Sequence, residues 1–124
     1  DADLIAYCFD FVKNHIPFDL ATTKGKFPVG LDCELFNTST LKTLHEGNKL
    51  TVEEKEHVTL HFYHHQTDFN LISIDCPKGW QDKRHYTIDT PLDYELAVNR
   101  TQLFKNPNFS IQDLIQINEH ENIL

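Results

Sequence analysis

Apolar residues recur at helical spacing over residues 3 to 14, where Leu4, Ile5, Cys8, Phe11 and Val12 follow Asp3, a candidate N-cap. Phe9 and Phe11 are expected in the core. A short strand is expected over Phe18 to Thr22, then a polar turn at Thr23-Lys24-Gly25-Lys26. Gly30 to Phe36 alternates, with Leu31, Cys33 and Leu35 on one face and Asp32 and Glu34 on the other, as in a half-buried strand. Ser39 is the expected cap of a short helix carrying Leu41 and Leu44 and closing near Gly47. Thr51-Val52-Glu53-Glu54 reads as a capping box for a helix running to about His65, with Val58 and Phe62 inward and Tyr63 beside them. Phe69 to Asp75 is rich in strand formers, Cys76-Pro77-Lys78-Gly79 is a turn, and Trp80 to Arg84 is a polar approach to the next element.

That element is the best-marked junction in the chain. Tyr86 to Ile88 is expected to be a strand that passes through Asp89 into a helix capped by Thr90, opened by Pro91 and reinforced by Asp93. Leu92, Leu96 and Leu103 are its expected inward face. Asn106-Pro107-Asn108 ends it, and Ser110 with Asp113 opens a last helix bearing Ile111, Leu114 and Ile115. The order α, β, β, α, α, β, β, α, α predicts an α/β layer arrangement over residues 1–124 as a single domain, with the sense of each strand left open. In an open α/β sheet, ligands bind beyond the carboxyl ends of strands, so Asp89 is a candidate to meet a metal or substrate. Helix capping is the plainer role for the same residue.

Composition narrows the partners more than the fold. The 124 residues are 40% hydrophobic and 24% charged, which is ordinary for a globular domain, with a net charge of −8. No Lys/Arg cluster offsets the acidic excess, so nucleic acid and anionic membrane surfaces are disfavoured as partners. Three cysteines without C-x-x-C spacing point to a reduced, cytoplasmic protein, and the three N-x-S/T matches beginning at Asn37, Asn99 and Asn108 then read as chance. The sequence has no methionine, and we read it as a fragment, with processing or a cloning boundary as the plain alternative.

Two constellations carry possible chemistry. Asp32 and Glu34 project together from one strand face, where they could hold a cation, receive sugar hydroxyls or serve as acid and base; a solvated strand face carries such pairs too. His57, His61 and His65 fall at i, i+4 and i+8 with His64 beside them, a face that could present imidazoles to zinc, although H-E-x-x-H is absent and a solvated or interface face has the same pattern. Gly25-Lys26 does not belong to a phosphate loop, because Leu20 and Phe27 stand where that motif needs Gly and Ser/Thr.

Three ordered segments, Pro28-Val29-Gly30-Leu31-Asp32-Cys33-Glu34, Glu56-His57-Val58-Thr59 and Thr87-Ile88-Asp89-Thr90-Pro91-Leu92-Asp93, together resemble the second half of the spore coat polysaccharide type cytidylyltransferases. The family reads roughly P-x-G-L-D-V-E-V-F, E-H-V-T and T-V-D-T-P-E-D, and Phe109 to Leu114 is similar to its ending. The resemblance implies the C-terminal part of a Rossmann-related, glycosyltransferase-A-like nucleotidyltransferase fold, with a mixed sheet flanked by helices. It is a fold shared with the synthetases that activate Kdo and sialic acids. The implied activity joins a nucleotidyl group from CTP to a sugar, releasing pyrophosphate, in a homodimeric enzyme of surface polysaccharide biosynthesis. By resemblance Asp89 helps bind Mg²⁺ together with an aspartate earlier in the family's chain, Asp32 and Glu34 face the sugar, and Glu56 and His57 lie near the same pocket or the dimer interface.

Departures from the family pattern accompany the likeness. Its opening A-R-x-G-S-x-R-x-P loop and its G-D-x-P segment are absent from these residues, so the expectation is a C-terminal half that is inactive alone. Val29 stands for the usual arginine after the proline, and His85 for the arginine before the metal aspartate, with Arg84 shifted by one and taken as a further substrate-binding candidate. The alternative is a non-catalytic sugar-binding or dimerisation module of the same fold.

Overall fold

The computed structural model describes residues 1–104 and 106–117. Helix α1 (Ala2–Val12) buries Leu4, Cys8 and Val12, one stripe at i, i+4 and i+8. Its cap is Asp1 rather than Asp3: the Asp1 carboxylate accepts the Asp3 and Leu4 backbone N–H groups at 2.7 and 3.4 Å. The same carboxylate accepts the N–H of Ile111, tying the first helix to the last. Phe9 lies beside the stripe and is 59% exposed, so it is not core; Phe11 is half-buried and packs against the core's edge.

Strands β1 (Leu20–Thr22), β2 (Glu34–Phe36) and β3 (Leu71–Ser73) form a mixed sheet in the order β2-β1-β3, with β1 antiparallel to β2 and parallel to β3. Pleating decides what each face does. Ala21, in register with Leu35 and Ile72, belongs to the core that holds α1's stripe together with Phe27 and Ile74. Tyr7 and Trp80 close one end of that core edge-to-face, with ring centroids 5.3 Å apart. On the opposite face Thr22 pairs with Glu34 across the ladder and meets Tyr63.

After β2, α2 (Thr38–Glu46) is capped by Asn37, whose side chain accepts the N–H groups of Ser39 and Thr40; Ser39 is inside the helix. The single helix expected from Thr51 to His65 is broken into α3 (Val52–Glu56), α4 (Leu60–His64) and a 3₁₀ turn, Gln66–Asp68. His57 takes an extended conformation at the break, and the Thr59 hydroxyl thereby reaches Glu34 at 2.7 Å. The i, i+4, i+8 histidine face therefore does not form. Phe62 is buried as expected, while Val58 at the break is 56% exposed.

Tyr86 to Ile88 is irregular rather than a strand. Its backbone meets the Gly30 turn through the Tyr86 N–H to Val29 O bond of 2.7 Å, and it joins no strand ladder among the described residues. Helix α5 (Pro91–Gln102) begins as expected, with a full capping box between Thr90 and Asp93. Its Leu92 and Leu96, with Leu103 just beyond, are exposed on the described structure, not inward. Helix α6 (Ile111–Ile117) buries Ile111 and Ile115. No helix among the described residues is long and apolar enough to cross a membrane.

Candidate functional site

A cleft of about 920 Å³ opens between the β2 edge of the sheet and the α3–α4 break. Asp32, Glu34, Glu56 and His57 all line it, joined by Lys24, Glu53, Thr59 and Tyr63. Four of the six candidates from the sequence are thus brought together in one cleft. Asp32, in the irregular stretch that leads into β2, and Glu34, the first residue of β2, both line it, although the strand expected from Gly30 forms only from Glu34. The chain break after α3 turns Glu56 and His57 toward them.

Glu34 is the organised carboxylate of the cleft. Thr59 donates to its Oε2 at 2.7 Å, and the Tyr63 hydroxyl donates to its Oε1. That phenol is also 2.9 Å from the Thr22 hydroxyl. Burial, with the neighbouring Glu34 adding to it, pushes the Tyr63 hydroxyl up to about 12, so it stays a donor at any physiological pH. Lys24 lies over the Tyr63 ring, 4.9 Å from its centre, and is the cleft's lysine against the carboxylates of Asp32, Glu34, Glu53 and Glu56. Asp32 and Glu56 are exposed and Glu34 is fixed, an arrangement that can accept several hydroxyl or ammonium donors at once.

Asp89 and Arg84 lie outside this cleft's lining. Asp89 is exposed; its N–H donates to Asp93 Oδ2 at 3.1 Å, and among the described residues its carboxylate oxygens carry no hydrogen bond or ion pair. Arg84 is engaged within the chain: Nε donates to Asp82 Oδ1 at 2.8 Å and Nη2 to the Ile115 carbonyl at 3.1 Å. Asp82 also accepts from the Tyr86 hydroxyl at 2.7 Å. The Arg84 guanidinium above all, opposed by burial and helped by Tyr86, holds the Asp82 carboxyl far below the usual carboxylate range. Arg84 thus fastens the approach to Asp89 onto α6.

This architecture has a known counterpart. The chain is similar to a solved cytidylyltransferase from Leptospira borgpetersenii serovar Hardjo-bovis, with a TM-score of 0.82 and 25% sequence identity over 96% of this chain. It spans about half of that enzyme, covering 50% of its length. No protein-family model matches the sequence, and no curated protein sequence matches it. The α/β architecture with a mixed sheet is therefore one that a cytidylyltransferase also uses.

Tyr63, Thr59, Thr22 and Lys24 were not singled out by sequence as site residues. Thr59 was the last residue of the Glu56-His57-Val58-Thr59 segment, and its role as a donor to Glu34 depends on a break that a continuous capping-box helix concealed. Thr22 was findable in principle, since a polar residue in a short apolar strand invites a cross-strand partner such as Glu34.

Proposed function

We propose that this chain supplies the sugar-binding part of a cytidylyltransferase-type enzyme, one that transfers a nucleotidyl group from CTP to a sugar and works as a homodimer. The observation that carries the reading is the match to a cytidylyltransferase along 96% of the chain, combined with the cleft that Asp32, Glu34, Glu56 and His57 share. In the reaction a sugar oxygen attacks the α-phosphorus of CTP. One P–O bond forms, the α–β bridging bond breaks, the attacking hydroxyl gives up its proton and pyrophosphate leaves with the bonding pair. The tasks left to this chain are holding and orienting the sugar.

The cleft's carboxylates accept sugar hydroxyls, with Glu34 held in place by Thr59 and Tyr63. Carboxylates from Asp32, Glu34, Glu53 and Glu56 outnumber Lys24, which favours a neutral or amino-bearing sugar over an acidic one. Asp89 fits as one Mg²⁺ ligand, since its carboxylate is exposed and uncommitted and Mg²⁺ takes only one or two protein carboxylates beside phosphate oxygens and water. When bound, the ion neutralises charge on the phosphates. The capping box fixes the backbone from which Asp89 projects, through the Asp89 and Thr90 N–H groups on Asp93 Oδ2.

The test is calorimetric titration of CTP with Mg²⁺ into the full product of the gene and its Asp89→Asn variant. Binding that weakens at least tenfold in the variant supports the reading. Absence of CTP binding overturns it.

A further inference from the structure

Behind the cleft wall lies a second group of side chains that the sugar site does not use. Glu54, His61 and His65 offer one carboxylate oxygen and two ring nitrogens that all lie within 4.8 Å of one another. Glu54 Oε1 is 3.1 Å from His61 Nδ1 and 3.9 Å from His65 Nε2. Atoms bound tetrahedrally to zinc at roughly 2.0–2.2 Å stand about 3.4 Å apart and aim at a common point rather than at each other. His61 Nδ1 behaves in that way: it is buried and close to the Glu54 oxygen, yet makes no hydrogen bond among the described residues.

The surroundings favour a cation there. Glu54 is 4% exposed, and its ion-pair partners among the described residues are His61, His64 and His65, with no lysine or arginine. A buried carboxylate facing an unsatisfied buried nitrogen is costly, and one ion shared by both removes the cost. The carboxylate is also oriented from outside, as metal ligands usually are. The Thr51 N–H donates to Oε2 at 2.9 Å, and His64 Nδ1 lies in hydrogen-bond contact with Oε1 at 3.0 Å. The His61 ring is held edge-to-face on Phe69, at 5.8 Å and 71°.

We propose that Glu54, His61 and His65 form a binding site for a first-row transition-metal dication, zinc above all, with a fourth position open to water. Two imidazoles and a carboxylate select such an ion over Mg²⁺ or Ca²⁺, which prefer all-oxygen shells. The ligands come from α3, from α4 and from the residue after it. A bound ion therefore clips the two helices together across the break that carries His57 and Thr59 into the cleft. This histidine set differs from the His57, His61, His65 periodicity, because His57 lines the cleft instead. The proposal is independent of the nucleotide reading.

The test is calorimetric titration of zinc alone into chelator-stripped, dialysed protein, with cobalt absorption reporting geometry and thermal unfolding reporting the clip. One zinc per chain, the visible bands of four- or five-coordinate cobalt, a raised Tm and no displacement by excess Mg²⁺ are expected. Affinity should fall about tenfold or more in His61→Ala and His65→Ala and stay at the parent value in His57→Ala. His65 is 47% exposed at its side chain, so His65→Ala should fold even where Glu54→Gln does not. Failure to bind zinc stoichiometrically overturns the site. So does affinity unchanged in the folded His65→Ala protein, or affinity lost in His57→Ala.

Discussion

Gly30 packs so closely on Thr87 that a Cβ placed there would stand 2.6 Å from the Thr87 backbone nitrogen. The same atom would meet the Tyr86 carbonyl carbon at 2.6 Å, and the residue's φ of +90° already disfavours a side chain. This contact sets the segment that leads to Asp32 beside the segment that leads to Asp89, so the two halves of the proposed chemistry meet at a close backbone contact. Gly30→Ala should cost about 2–4 kcal/mol, the sum of left-handed strain and overpacking against atoms that cannot rotate away. Gly25→Ala carries only the strain, since φ is +78° there with nothing within 4 Å, and should cost about 1 kcal/mol. Urea denaturation of both variants checks the order.

Tyr63→Phe removes the phenolic donor to Glu34 and should destabilise the fold by about 1–3 kcal/mol, the usual loss when a part-buried charged acceptor loses a partner. Because burial raises the Tyr63 hydroxyl to about 12 and raises Tyr7 as well, an ultraviolet titration of the tyrosines should show a late component to which both belong. The variant should lose one tyrosine's share of that component.

Asp82 supplies the pH dependence. Its folded value is depressed by Arg84, so its stabilisation is fully present above the ordinary carboxylate value of about 4 and is lost as pH falls through the folded value. Asp82→Asn should therefore be less stable than the parent by about 1–3 kcal/mol at pH 7. The gap should narrow as pH is lowered below about 4. Urea midpoints at pH 7, 4 and 3 measure it, and a constant gap would contradict the assignment.

Thr90→Ala removes half of the capping box at the start of α5 and should cost about 1 kcal/mol. If Asp89 serves the nucleotide, the same change should also weaken CTP·Mg²⁺ binding, because Thr90 and Asp89 share Asp93 as acceptor. Thermal unfolding and calorimetry on one sample separate the two effects.

Local signals in this chain were legible where local chemistry decides. Thr90-Pro91-Leu92-Asp93 and Thr51-Val52-Glu53-Glu54 both formed the capping boxes their residues call for, and Asp32 and Glu34 share the cleft lining although the strand itself runs only from Glu34 to Phe36. The misreadings were long-range. Nothing in the spacing of His57, His61 and His65 announces that the helix breaks at His57, because the break is favoured by a Thr59 to Glu34 bond across 25 residues. Tyr86 to Ile88 has strand-forming residues but pairs with no strand among the described residues; its backbone lies against the Gly30 turn. Leu92, Leu96 and Leu103 keep a helical period whose face remains exposed among the described residues. Their inward placement was a tertiary inference that periodicity alone could not supply.

The most direct measurement is sugar-dependent release of pyrophosphate from CTP by the full gene product, run against neutral, amino and acidic sugars, with Asp32→Asn, Glu56→Gln and Asp89→Asn variants alongside. We predict release that depends on a neutral or amino sugar, a raised KM for that sugar in Asp32→Asn and Glu56→Gln, and kcat/KM lowered about 100-fold or more in Asp89→Asn. Release that is independent of every sugar, or unaffected by all three substitutions, would contradict the account.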